Sequence, residues 1–484
     1  MSESYLLGID QSTAGTKAVL FNAGGEVLAR SDCAHEQKIS AEGWVSHDPM
    51  EIYHNTLQSV KDVLEKTGVD PAGILGVGIS NQRETALIWD RSTGLPLRDA
   101  VVWQCARADA ICERLREHEE AIRSRTGLPL SPYFSAAKIA WQLESLPGYS
   151  ADSLCAGTID SWLVYKLTGS FKTDWSNASR TQLLNLETLE WDRDICAWFG
   201  IPATALPEIC DSNSLFGHTN FEGLLPNKVP VHAVLGDSHG ALFGQGCLES
   251  GMAKATYGTG SSVMMNTGGK AVYSGNGAVT SLAWGMDGVV TFVLEGNINY
   301  TGSVIKWLVE EVGLLSSSKE AGQVASQANP ADTTYLVPAF SGLGAPYWDS
   351  TAKAVLCGMS RTTGRAEIVR AAEDCIAYQI ADLIRIVQED SGIGITELRV
   401  DGGPTRDSYL MQFQSDIIGL PLSAPANEEL SVIGAAYAAG IALGLYDKDI
   451  LGRQKRSRYT PRMPENERTA KYQGWQDAVA RALR

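Results

Sequence analysis

No two of the nine cysteines in this 484-residue chain stand in a CxxC spacing, and their number is odd. With no signal-peptide pattern at the start, that usage excludes a disulfide-stapled secreted scaffold and points to free thiols in a reducing cytoplasm. Positive charge is also short. Forty Lys and Arg against 56 Asp and Glu give a formal net charge of −16, so the basic face needed for nucleic acid or an anionic membrane is missing and neither is expected as a partner. A local basic pocket for a small anion is still open. Long apolar runs are absent too: VIGAAYAAGIALGLY, near the C-terminus, falls short of the ~20 residues a membrane span needs. Its Ala and Gly content suits a buried helix packed closely on a neighbour. No low-complexity segment interrupts the chain, and the charged stretch GRQKRSRYTPRMPENERTAKYQ reads as surface.

What is present is ordinary for a globular protein, with 44% apolar and 20% charged residues, and the length calls for more than one core. Strands are predicted at YLLGI, KAVLFN and EVLAR, the last two joined by a turn at Ala23-Gly24-Gly25. A helix follows, with Asp48 as N-cap, Pro49 at its first position and Gly68 just past its end. ILGVGIS and TALIWD complete a mixed α/β pattern that does not begin βαβ. In the second half MAKATYGTGSSVMMNTG repeats the logic of GIDQSTAGTKAVLF: strand, Gly/Ser/Thr turn, strand. A long helix is expected from about Glu367 to Gln388, then the strand LRVDGG, with the Ala-rich helix closing this half. Two like halves suggest a duplicated α/β fold with a cleft between them. The boundary is placed near Gly246–Gly251, giving domains 1–247 and 248–484.

The polar turn Asp10–Lys17 ends a buried strand on a carboxylate. Successive backbone N–H groups in such a turn form a nest for phosphate, Lys17 adds a point charge, and Asp10 suits Mg²⁺ directly or through its waters. The alternative is a polar hairpin that satisfies its own backbone. The second turn, Gly258–Gly260, strengthens the phosphate reading, because two such hairpins make a clamp. Gln82, Arg83 and Glu84 lie where ILGVGIS emerges into a loop, and Arg beside Glu can bind adjacent hydroxyls; a surface ion pair is the competing explanation. Trp103 and Tyr133 could line a pocket, but plain core packing is the competing explanation for each. In VLGDSHGALFGQG a buried strand ends in Asp237, which serves either as a helix cap or as a general base toward a hydroxyl. Gly402 and Gly403 in VDGGPTRD permit close approach of a flat ring, or simply make a tight turn.

Taken in order, GIDQSTAGTKAV, NQRET, AVVWQCAR, SPYFSAAKIAW, SNASRTQLLN, GDSHGALFGQG, TYGTG, LVPAFSGLGAPYWD, VDGG and LMQFQSDIIG resemble the FGGY carbohydrate kinases, of the actin/Hsp70/sugar-kinase superfamily, and within them the glycerol-kinase branch. The resemblance covers nearly the whole length. It implies two actin-like (ribonuclease H-like) α/β domains with an interdomain catalytic cleft, and an ATP-dependent kinase acting on a hydroxyl of a small polyol or sugar, with ATP and Mg²⁺. Gln82, Arg83, Glu84, Trp103, Tyr133, Asp237 and Ser238 would surround the acceptor, with Asp237 as base. Thr13, Lys17, Gly258 and Thr259 would contact nucleotide phosphates. Gly302, Lys306, Gly402, Gly403 and Asp407 would lie along ribose and adenine, and Asp10 would organise the metal. A homo-oligomer, dimer or tetramer, is compatible with all of this.

The chain departs from that branch where its acceptor is read. Ser238 stands in place of Gln and Ser262 in place of Phe, so both changes shorten side chains lining the acceptor pocket. Ala14 and Gly15 replace hydroxyl residues, Lys17 replaces Arg and Asp407 replaces Asn. Glu373 sits where the family signature has an apolar residue. Ser238 and Ser262 favour an acceptor longer than glycerol. A ketose kinase of the ribulose or xylulose type shares the reaction and gains from Ser238 and Ser262, but loses from NQRE and VVWQC. An actin/Hsp70-type ATPase that binds a protein partner is disfavoured, since that class has no use for Asp237 beside a polar loop.

Overall fold

The computed structural model of the protein describes residues 3–146, 148–349 and 351–483. The chain forms two compact units. Unit 1 comprises Met1–Gly246, Ser281–Phe292 and Glu429–Arg453; unit 2 comprises Cys247–Thr280, Val293–Glu428 and Gln454–Arg484. The chain first passes from unit 1 to unit 2 after Gly246, and two later stretches return to unit 1.

In unit 1, β1 (Tyr5–Gln11), β2 (Gly15–Asn22) and β3 (Val27–Ala34) form an antiparallel meander. β4 (Ile74–Asn81), β5 (Gly217–Thr219) and β6 (Val229–Gly236) extend it to the order β5-β6-β4-β1-β2-β3. β1, β4 and β6 are mutually parallel. Every residue of β1 is buried, as a strand covered on both faces requires. The first helix, Pro49–Thr67, forms as its ends dictate: Asp48 accepts from the Met50 and Glu51 amides, and Gly68 closes it at φ 64°. Its Ile52, Val60 and Val63 join Leu7, Ile9, Leu20, Val77 and Val234 in one core.

The glycine–alanine helix, Leu430–Ala442, packs within unit 1. Its small residues explain the placement. A Cβ on Gly78 of β4 would lie 2.3 Å from the Ala435 carbonyl oxygen, and one on Gly434 would lie 1.9 Å from that of Gly240. The helix therefore sits backbone against backbone on β4 and on the short helix Asp237–Gly244.

Unit 2 repeats the plan. β7 (Ala253–Tyr257), β8 (Ser261–Gly268), β9 (Val279–Met286), β10 (Val289–Ile298), β11 (Leu398–Asp401), β12 (Leu422–Pro425) and β13 (Arg456–Tyr459) make a sheet in the order β9-β10-β8-β7-β11-β12-β13, of which Ser281–Phe292 in β9 and β10 is counted with unit 1. β7 is antiparallel to β8 across the Gly258–Gly260 turn and parallel to β11. The long helix runs Arg365–Ser391, and its Val369, Ile376 and Ile380 pack into a core with Val263, Leu294 and Trp475. No helix among the described residues is long and apolar enough to cross a membrane.

The Gly240–Gly434 crossing has no slack. Gly434→Ala is expected to lower the stability of the full chain by about 3 kcal/mol, read from the denaturation midpoint; an unchanged midpoint would contradict the crossing.

Candidate active site

The parallel pairing of β1, β4 and β6 brings three chain exits to one edge of the unit 1 sheet. Asp10 is opposite Ser80, and Gln11 and Gly236 are both opposite Asn81. Asp10, the Gln82–Glu84 loop and Asp237 consequently emerge together, at the carboxyl ends of parallel strands where α/β proteins bind ligands.

Arg83 is 6% exposed; its Nε lies 3.3 Å from Asp237 Oδ1 and 4.0 Å from Glu84 Oε1. Glu84, 3% exposed, holds a left-handed backbone at φ 60° and accepts from Arg180 Nε at 2.6 Å. Non-glycine residues in that region are strained and cluster at functional sites. The Asp237 side chain is 37% exposed, the most open of this group, and sits at the first position of its helix, where Oδ1 accepts from the Ser238 amide at 2.6 Å. Arg83 thus orients a carboxylate that solvent reaches. Gln82 is fully interior: its amide donates to Gln11 Oε1 at 3.1 Å and its Oε1 accepts from Thr85 at 2.7 Å. It props the loop instead of facing outward.

Trp103 Nε1 donates to Thr13 Oγ1 at 2.9 Å, and the Trp103 ring meets Tyr133 edge-on at 5.5 Å. The two candidate aromatics are therefore one unit with the first turn. The loop carrying Tyr133 is fastened from beneath by Lys138, whose buried Nζ donates to the carbonyls of Pro132 at 2.6 Å and Phe134 at 3.2 Å, and also to that of Tyr133. Burial pulls this lysine down to about 7, against the opposing pull of Glu84.

In the first turn Ser12 bonds Gly15 through backbone and hydroxyl. Asp10 is 6% exposed, and burial raises its carboxyl to about 6, with Lys17 and Ser80 opposing and Asp237 and Glu429 adding. Lys17 Nζ lies 3.8 Å from Asp10 Oδ2 and donates to Glu429 Oε2 at 2.8 Å. Burial alone would lower this lysine, but the Asp10 and Glu429 carboxylates outweigh it and raise it. The expected phosphate cation is thus held ionised by two acids of its own unit.

Unit 2 carries a cavity of about 800 Å³ lined by Gly258, Thr259, Gly302, Lys306, Gly403 and Asp407, together with Ile305, Glu373, Ile376 and Leu410. Six of the nine residues expected at the nucleotide meet there. Gly402 does not line it: at φ 97° it passes Tyr257 so closely that a Cβ would lie 1.9 Å from that carbonyl oxygen. Gly302 donates its N–H to the Gly258 carbonyl at 3.0 Å, which locks the following helix onto the turn. Asp407 caps the helix Ser408–Ile418 and also accepts from the Gly322 amide at 2.9 Å. Ser262, expected at the acceptor, lies on β8 of unit 2, 3.4 Å from Lys254 Nζ.

Arg180, Glu429 and Lys138 carry no expectation from the sequence reading. Arg180 lies within SNASRTQLLN, yet its partner is 96 positions away; Glu429 is 412 positions from Lys17. Only the carboxylates and lysine that need partners were visible.

Carboxylates at two strand ends of unit 1 and a glycine-lined cavity in unit 2 belong to an α/β fold of the two-domain actin-like class. Models of the FGGY family of carbohydrate kinases match the chain, the N-terminal domain over residues 5–244 and the C-terminal domain over 253–443. The chain belongs to that family, and is an ATP-dependent kinase that phosphorylates a hydroxyl of a small polyol or sugar. It is 43% identical to a glycerol kinase of Carboxydothermus hydrogenoformans over 100% of this chain and 99% of the relative. A glycerol kinase of Oceanobacillus iheyensis is 43% identical over 99% and 98%. The crystal structure of Plasmodium falciparum glycerol kinase with ADP superposes at a TM-score of 0.94 with 34% identity, covering 100% of this chain and 99% of that one. A xylulose kinase from Lactobacillus acidophilus, at 20% identity and a TM-score of 0.87 over 99% and 97% of the two chains, shares the fold.

Asp374, next in the chain to the cavity-lining Glu373, accepts from the Tyr409 hydroxyl at 2.8 Å. Burial raises its carboxyl from 3.8 to about 7, with Tyr409, Arg370 and Lys471 opposing. Between those values the unfolded chain releases this proton while the folded protein keeps it, so this group makes stability fall as pH rises through that window. Asp374→Asn keeps an acceptor for Tyr409 and removes the titration. It is expected to raise Tm by about 5 °C over the parent at pH 8 and to leave it nearly unchanged at pH 4; equal offsets at both pH values in thermal melts would contradict the assignment.

Proposed function

We propose that Asp237 is the general base of the kinase and that Arg83, Glu84, Trp103 and Tyr133 hold the acceptor polyol beside it. The observation that carries this is the Arg83–Asp237 pair, 3.3 Å apart, with the Asp237 carboxylate partly exposed at the end of β6. A hydroxyl of the acceptor gives its proton to Asp237 as its oxygen bonds to the γ-phosphorus. The bond from that phosphorus to the bridging oxygen breaks, and ADP leaves with the electron pair. The transition state is loose, so the residues contribute mainly by position and charge. Thr13 and the Gly258–Thr259 turn attend the phosphates, and Lys17 supplies positive charge from its tether between Asp10 and Glu429.

Mg²⁺ fits Asp10. Its Oδ1 is buried with no hydrogen-bond partner among the described residues, and a hard cation takes such an oxygen. The described residues contain no cluster of three His, Cys, Asp or Glu, so the ion would rest on Asp10, waters and nucleotide phosphates. When bound it neutralises charge on the transferring group.

Glycerol, the acceptor named in the relatives, is the reference substrate. Ser238 and Ser262 are both partly exposed and leave room and hydroxyls where the glycerol-kinase branch has longer side chains, which favours a four- or five-carbon polyol or its keto form. A site that bonds an extra hydroxyl rejects the analogue lacking it.

Asp237→Asn is expected to keep ADP binding and lose at least about 100-fold in kcat; near-normal turnover would overturn the base assignment. For the acceptor, kcat/KM is measured for glycerol, erythritol, xylitol, ribulose and xylulose. The longer acceptors are expected to lead, and a glycerol lead of about tenfold or more would overturn the pocket argument while leaving the kinase intact.

A further inference from the structure

The unit 2 cavity holds one group that phosphoryl transfer does not use. Glu373, on the long helix, is 3% exposed and lines the cavity with Ile376 one turn further on. Its Oε2 has no hydrogen-bond partner among the described residues. A buried carboxyl oxygen left unpaired is costly, and this one faces a cavity from which a partner can reach it.

We propose that the Glu373 carboxyl reads the nucleobase, hydrogen-bonding the amino edge of the adenine ring of the phosphoryl donor. This rests on the reading of the cavity as the nucleotide site. Ile305, Ile376 and Leu410 offer apolar walls to the faces of a flat ring, and such pockets take their specificity from the few polar groups among those walls. A phosphate is excluded as the partner of this carboxyl, because burial and the neighbouring Asp407 and Asp374 already disfavour a negative charge and raise its pKa well above the usual carboxylate range. In its neutral form the group has one O–H to donate and a carbonyl oxygen to accept. That matches a ring nitrogen beside an exocyclic amine. Asp407 cannot take this role with the same freedom, because its carboxylate is engaged by the Tyr409, Leu410 and Gly322 amides.

The test is calorimetric binding to the full chain and to Glu373→Gln and Glu373→Leu. The ligands are ADP, purine riboside 5′-diphosphate (which lacks the 6-amino group) and 2′-deoxy-ADP. Loss of the amino group is expected to weaken binding about tenfold in the parent and in Glu373→Gln, whose amide also donates and accepts, and less than about threefold in Glu373→Leu. An equal loss in the parent and Glu373→Leu overturns the proposal. So does a loss that follows the 2′-hydroxyl instead of the amine. If Glu373→Leu does not fold, the parent still decides: ADP and its amino-less analogue binding alike overturns the base contact while leaving the nucleotide site standing. Failure of the parent to bind ADP at all overturns both readings.

Discussion

The close seat of the glycine–alanine helix on β4 and on the helix that begins at Asp237 is the constraint from which the unit 1 site follows. Side chains at Gly78, Gly240 or Gly434 would push these backbones apart. With none there, β4 and β6 stay in register, and their ends deliver Arg83 and Asp237 within 3.3 Å of each other. A shift of an ångström at the seat would reach the proposed base directly, and catalysis by positioning is sensitive to shifts of that size. The packing and the chemistry are therefore one design problem, solved by residues without side chains.

Charge is managed in the same economical way. Four acids, Asp10, Glu84, Asp237 and Glu429, crowd the strand ends, and each has a cation assigned to it: Lys17 for Asp10 and Glu429, Arg180 for Glu84, Arg83 for Asp237. Buried charges survive only when paired, and removing one partner leaves the other stranded. Asp237 differs from Glu84 in exposure more than in chemistry. The interior acid is closed off by its pairing with Arg180, whereas the Asp237 carboxylate is partly open.

Much of this was legible locally. The caps of the first helix, the two strand–turn–strand units and the strand ending in Asp237 rest on short-range signals, and the structure has them where the residues indicate. The long helix came out longer than the apolar stripe suggested, because its ends are set by Gly364 and Gly392. What was illegible was long-range. Nothing in the sequence near Leu430–Ala442 says which sheet its glycines will fit. Arg180 and Glu429 are ordinary charged residues until the fold sets them beside Glu84 and Lys17. Gly402 and Gly403 illustrate the limit well: the same dipeptide offered two explanations, and each glycine took one of them. Gly402 makes the tight passage by Tyr257, and Gly403 opens onto the cavity.

The central claim is that Asp237 faces the hydroxyl that receives the phosphoryl group. A crystal structure of the protein with its best acceptor and ADP tests it directly. The account requires one acceptor hydroxyl within hydrogen-bond reach of the Asp237 carboxylate, roughly 2.6–3.2 Å, with neighbouring hydroxyls on Arg83 and Glu84. An acceptor bound with no hydroxyl near Asp237 would contradict it.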